Sequence, residues 1–322
     1  MRIHLPNSVW LGNIDPFLRA FDVLETDVLE ISSHQKWVSV HPVVLSMVCA
    51  IGLKMRREGK EIKFYKPTAI SKHYFERMGL FKILGLESEI KIREHESAGR
   101  FVTIQVIKDS KQLDRFITEM VPLLHSEPKK VEPIRYIIFE LVRNVFEHAN
   151  SDDGAIVCAQ YYKKSNTIRI GVADCGIGVK KSISQSYSPK TDIEAILLAL
   201  TPGITGTTTK IGGTESNAGA GLFFIKSLAK VDRDFFMIYS GEGMYKLLKN
   251  PKHKGVRLVA DPIKDHASYN NNYPDWSGTV VGIDLCLDEH ADFNALLDLI
   301  RDFYQKARKQ KIKEKYKHPR FV

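Results

Sequence analysis

Cysteine is scarce in this 322-residue chain. Cys49, Cys158, Cys175 and Cys286 lie far apart, with no C-x-x-C pair among them. That spacing excludes a zinc site of the paired-cysteine type and a disulfide framework, and it predicts a reducing, cytoplasmic setting. Long apolar runs are missing too. The longest, residues 43–53, is interrupted by Ser46 and ends at Lys54, so it is too short to span a bilayer and suits a buried helix. Residues 1–6 lack the apolar stretch of a secretory leader, and no membrane association is expected. Acidic residues are in deficit, 38 against 47 Lys and Arg, for a net charge of +9. The surplus is local. Lys306–Arg320 holds eight Lys or Arg and one Glu, a charge of +7, and without it the chain carries +2. Such a run is either a solvated helix end or an arm for nucleic acid or another acidic partner.

Strands and helices alternate over the first 88 residues. Residues 28–31 and 62–65 read as strands, residues 43–57 as a helix stopped by Gly59, and Ser71 as the cap of a further helix to Met78. This is the pattern of a small α/β layer. A strand over 101–107 and a helix over 111–124 form a bridge, with 127–130 as linker. From about Asp292 a last helix runs into the basic tail.

The chemistry is carried by three short motifs in order. The first is Glu140-x-x-x-Asn144-x-x-x-His148, on a helix predicted over 131–149. At 100° per residue, Ile137, Ile138, Leu141, Val142, Val145 and Phe146 form its buried half, while Glu140, Asn144, Glu147 and His148 gather in an adjoining arc. A carboxamide oxygen can ligate Mg²⁺ without adding charge beside phosphates, and a carboxylate one turn away can serve as a base. Taken alone, this segment is better explained as an ordinary amphipathic helix with a polar edge. The second motif, Asp174-Cys-Gly176-Ile-Gly178, follows an apolar strand over 167–173, so a carboxylate sits at a strand end beside glycines that permit a tight turn. The third, Asn217-Ala-Gly219-Ala-Gly221-Leu222, opens a helix whose first N–H groups could meet phosphate oxygens. It has the spacing of neither a GxxxxGK[ST] loop nor a GxGxxG fingerprint. Ser277-Gly278-Thr279 begins a last strand. The forty residues between Val179 and Gly219 are rich in Gly and Thr and suited to ordering on a ligand, with Lys210 a candidate for a terminal phosphate.

Taken together, these motifs resemble the nucleotide site of the GHKL superfamily, over about residues 131–285. The resemblance implies ATP and Mg²⁺ as ligands, Glu140 as catalytic base and Asn144 as the magnesium ligand. It implies that Asp174, Gly176, Gly178 and Thr279 hold adenine, with the Thr279 hydroxyl supporting Asp174. Gly219, Gly221 and Leu222 then lie at the phosphates, and residues 179–219 form the lid. The form of the first motif is similar to the anti-sigma-factor serine kinases and the conformational ATPases. A sensor kinase is disfavoured, since the preceding helix offers only His125. Residues 1–88 resemble the STAS domain of anti-sigma-factor antagonists, on the strand ending at Ile31, the helix opening near Pro42, Arg56-Arg-Glu-Gly59, and Met78-Gly-Leu80. Ser39-Val-His41-Pro42 stands where that family's regulated members carry an Asp-Ser-like pair, so phospho-regulation is not transferred.

The expected fold class is α+β: a STAS-like domain (1–88), a connecting strand and helix (89–130), a GHKL, or Bergerat-type, α/β sandwich (131–290), and a C-terminal helix with basic tail (291–322). The expected function is an ATP/Mg²⁺-binding regulator whose lid controls a protein partner, with slow hydrolysis. The alternatives are a protein serine/threonine kinase and a nucleic-acid-associated ATPase gripping phosphate through Lys306–Arg320. A homodimer is compatible with all three.

Overall fold

In the computed structural model, the described residues are 1–21, 27–65, 67, 69–87, 101–120, 128–206, 208, 220–251, 253, 255–287 and 293–316. The chain is a mixed α/β protein with several sheets. Its first part holds β1 (Arg2–Leu5), β2 (Ser8–Val9), α1 (Asp15–Arg19), β3 (Val28–Ser33), β4 (Ser39–Val40), α2 (Pro42–Arg57), β5 (Glu61–Phe64), α3 (Ala69–Arg77) and α4 (Leu80–Leu84). Strands β1, β3 and β5 form a small parallel sheet in that order, and β2 pairs with β4. Ser71, expected as a cap, is buried inside α3, which starts two residues before it.

The larger part contains β6 (Phe101–Ile107), α5 (Ser110–Met120), α6 (Pro128–Asn144), β7 (Ala155–Tyr162), β8 (Thr167–Ala173), α7 (Gly178–Ile183), α8 (Asp192–Ala199) and α9 (Gly221–Val231). It is completed by β9 (Phe236–Gly241), β10 (Gly243–Leu247), β11 (Ala267–Asn270), β12 (Trp276–Cys286) and α10 (Phe293–Tyr316). Seven strands form one antiparallel sheet in the order β11-β10-β9-β12-β8-β7-β6. Residues 101–107 therefore do not bridge two units. They are the edge strand of the main sheet, paired with β7. The linker expected at 127–130 is likewise replaced, at 128–130, by the first turn of α6, with Pro128 at its first position and Pro133 inside the helix.

Side chains alternate along the sheet, and both faces are covered. Ile168, Ile170 and Val172 of β8, with Val281 and Ile283 of β12, pack under α6, α9 and α10. Ile156, Cys158, Met237, Tyr239 and Val280 face the other way and join the core of the first part. The helix lying on that second face is α2. It is apolar almost all round, with Val43, Val44, Leu45, Met47 and Val48 fully buried, as expected for a helix enclosed on every side. Gly171 and Gly282 are paired across β8 and β12. A Cβ on Gly171 would stand 2.2 Å from the Val43 backbone, so the glycine pair makes a flat seat for the first turn of α2. The Ser46 hydroxyl donates to the Gly171 carbonyl at 3.0 Å. At the helix N-terminus, His41 Nδ1 accepts from the Val43 N–H while Nε2 donates to Asp284 at 3.0 Å. Burial lowers the His41 pKa against the pull of Asp284, so the ring is held neutral in that tautomer.

Candidate functional site

Helix α6 brings Glu140 and Asn144 to the rim of the sheet, on its α9 side. Beyond Asn144 the helix does not continue as predicted. Val145–Ala149 forms a π-helical turn, and Asn150 then adopts a left-handed backbone (φ 47°) that ends it. The wider turn rotates the chain relative to a regular helix. Phe146, placed on the buried half by 3.6-residue periodicity, is instead exposed, while Val145 and Ala149 stay buried. The turn is clasped by the second motif, with Ile177 N–H donating to the Ala149 carbonyl at 2.7 Å. A Cβ on Gly176 would lie 2.0 Å from that carbonyl oxygen, so only glycine allows the approach.

A cavity of about 330 Å³ opens between α6, the π turn, β8, β12 and α9. Glu140, Asn144, Asp174, Gly178, Gly221, Leu222 and Thr279 all line it. Gly176 does not; it packs on Ala149 and borders a neighbouring hollow with Gly278 and Ser240. Gly219 and Lys210 lie outside the described residues. The segment expected as a lid is also more structured than its composition suggested. Residues 178–183 and 192–199 form α7 and α8, both packed beside the sheet, and the chain from Ile204 to Gly206 then reaches the cavity wall. Ser186 holds that stretch by donating to the Gly206 carbonyl at 2.8 Å.

Polarity is divided along the cavity. Val172, Ile238 and Val281 make an apolar floor from the sheet, with Asp174 at its deep end. Asp174 is almost fully buried, and desolvation pushes its pKa up to about 6 despite backbone hydrogen bonds from Gly176 and Thr279. Its Oδ1 accepts the Gly176 N–H at 2.8 Å, and its own carbonyl accepts the Trp276 indole N–H at 3.0 Å. The expected hydroxyl link from Thr279 is replaced by a main-chain one, in which the Asp174 N–H donates to the Thr279 carbonyl at 2.9 Å. Gly278 enables this crossing at φ 113°, since a Cβ there would meet the Asp174 carbonyl oxygen at 2.2 Å. Ser240, which sequence reading passed over, fastens the loop by accepting the Val179 N–H and donating to the Gly278 carbonyl.

At the other end stand Glu140, Arg143, Asn144, Glu147 and His148. Burial raises the Glu140 pKa, opposed by Arg143 and reinforced by Glu147. A Cβ on Gly221 would lie 2.5 Å from Glu140 Oε2, so α9 begins against that carboxylate. Asn144 Nδ2 is buried with no hydrogen-bond partner among the described residues. Half a turn of the carboxamide exchanges its two ends, so this position offers either a donor or an acceptor to a ligand. Sequence reading also missed Tyr136 and Arg143, because periodicity says which face a residue shares and not which cavity that face borders. No protein-family model matches the chain, and no curated protein matches it.

Proposed function

We propose that this chain binds ATP with Mg²⁺ at a GHKL-like site and that the bound nucleotide, through residues 179–219, controls an interaction with a regulatory protein partner. On this reading residues 1–88 are STAS-like in ancestry and the main sheet is a Bergerat-type sandwich. What carries the reading is one observation. A desolvated carboxylate over an apolar floor, and an orphaned carboxamide beside a half-buried carboxylate at a helix start, share one cavity.

Each part suits one part of a nucleotide. Asp174 accepts the exocyclic amine of adenine, and the floor of Val172, Ile238 and Val281 takes the flat apolar ring. Asn144 gains the partner it lacks, from magnesium or phosphate oxygen, and among the described residues no cluster of three or more His, Cys, Asp or Glu is placed to hold a metal without phosphate. Gly221 brings the N-terminus of the 11-residue α9 to the same end of the cavity, where its unpaired N–H groups and positive dipole end favour phosphate. Glu140, with its raised affinity for protons, takes the proton of an attacking water. Magnesium supplies charge neutralisation of the phosphates when bound.

The test is titration calorimetry and phosphate release with the wild type, Asp174→Asn and Glu140→Ala. The wild type should bind Mg·ATP. Asp174→Asn should lose binding, and Glu140→Ala should bind while turnover drops by about 10²-fold or more. A wild type that does not bind ATP, or an Asp174→Asn protein that binds it equally well, overturns the reading.

A further inference from the structure

The charges lining the cavity do not suit a polyphosphate as they stand. Three carboxylates face it, Glu140, Glu147 and Asp174, and among the described lining residues Arg143 is the sole Lys or Arg. His148 adds no positive charge near neutrality, because burial lowers its pKa against the opposing influence of Glu147. Among the described residues, a ligand carrying three or four negative charges therefore meets an acidic mouth with one side-chain cation in it.

That cation is already engaged in this structure, with Glu147 among its partners. Arg143 Nε donates to Glu147 Oε1 at 2.5 Å across one helical turn, and both side chains are about one-third exposed, at 35% and 36%. Exposed i,i+4 pairs of this kind are weak and exchange readily for a better partner. A phosphate is a better partner. The guanidinium fork matches its oxygens two at a time, and the bond is charge-assisted on both sides. Arg143 also precedes Asn144 directly and lies one turn after Glu140, which places it at the polar end of the cavity and away from Asp174.

Resting on the nucleotide reading above, we propose that Arg143 is the polyphosphate-recognition residue of this site and that Glu147 is its stand-in partner, exchanged for phosphate when ligand enters. The pair then works as a charge filter. A nucleoside without phosphates leaves the Arg143–Glu147 contact in place, whereas a triphosphate draws Arg143 onto its oxygens and leaves Glu147 beside His148. The ligand class selected is a nucleoside polyphosphate over a nucleoside or monophosphate, and the selection is made by this chain's own cation as well as by magnesium.

The experiment is calorimetric titration of the full-length wild type, Arg143→Gln and Glu147→Gln with adenosine, ADP and ATP, each with Mg²⁺. For Arg143→Gln the expected result is a loss of about tenfold or more for ATP, a smaller loss for ADP, and less than about twofold change for adenosine. Glu147→Gln removes both the competing partner and a like charge, so ATP should bind severalfold tighter with adenosine unchanged. Equal losses for adenosine and ATP in Arg143→Gln, or no loss for either, overturn the proposal while leaving the nucleotide reading intact. A wild type that binds none of the three overturns both.

Discussion

Asp174 shows most directly how one residue can be costly to the fold and useful to the site. Its carboxyl is lifted from 3.8 to about 6 by burial, so the folded chain holds that proton more tightly than the unfolded chain between those values. Stability must then fall as pH rises through the window, and above it the penalty is fully present, on the order of 2–3 kcal/mol. Asp174→Asn removes the buried charge and keeps an oxygen for the Gly176 N–H. The unliganded variant should therefore melt a few degrees above the wild type at pH 7.5, with the gap closing toward pH 4, while ligand binding is lost; scanning calorimetry across that range checks it. Gly221 separates the same two roles differently. The atom an added methyl would meet is the free end of the Glu140 side chain, so Gly221→Ala should fold with a small change in melting temperature yet displace Glu140 and depress turnover. An unchanged hydrolysis rate in that variant would count against the role proposed for Glu140.

At the scale of elements, the strands were the most legible. The apolar run over 167–173 coincides with β8, and the run over 101–107 with β6, because alternating or continuous apolar residues bounded by polar turns have few other solutions. Helix ends were less legible. The π turn at Val145–Ala149 is imposed by the hydrogen bond from Ile177 and the close approach of Gly176, partners nearly thirty residues away. No local pattern announces it, which is why Phe146 fell on the wrong face. The seating of α2 is a stricter case. Gly171→Ala drives a methyl group into the Val43 main chain, where no side chain can yield, so it should cost at least about 3 kcal/mol. Urea denaturation would show it, and a cost below about 1 kcal/mol would mean that α2 is not held as closely as described.

For the whole molecule, the decisive feature is that the first part covers a face of the sheet that would otherwise be bare. Met237, Tyr239, Met244 and Trp276 share a core with α1 and α2, Asp15 accepts from Lys246 and from Tyr273, and Arg169 lies between the Trp10 and Tyr162 rings at 4.1 and 4.3 Å. The edge contact of Phe21 with Trp276, whose indole N–H reaches Asp174, brings that interface to the deep end of the cavity. Residues 101–322 produced alone should accordingly aggregate or bind a hydrophobic dye, and adding residues 1–100 in trans should restore solubility. A monodisperse, cooperatively melting 101–322 fragment would show that the two parts fold separately. Acid should also loosen this interface. His41 is fully buried with its pKa lowered, so the unfolded state takes up its proton first and stability from this group is lost as pH falls through the ordinary histidine range.

What the sequence determined by itself was local: that residues 28–31, 62–64, 101–107, 167–173 and the stretch from Thr279 are strands, that α2 is buried, that Asp174 follows a strand, that Gly221 opens a helix, and that Glu140 and Asn144 sit one turn apart. These follow from chain geometry and side-chain chemistry over fewer than ten residues. Only the tertiary structure decided what depends on distant partners. It made β6 an edge of the main sheet, turned the division at residue 88 into a shared core, moved Gly176 out of the cavity onto Ala149, and brought Arg143 and Tyr136 into it. The physical reason is that burial and desolvation are properties of what packs around a residue, and those neighbours lie tens to hundreds of positions away along the chain.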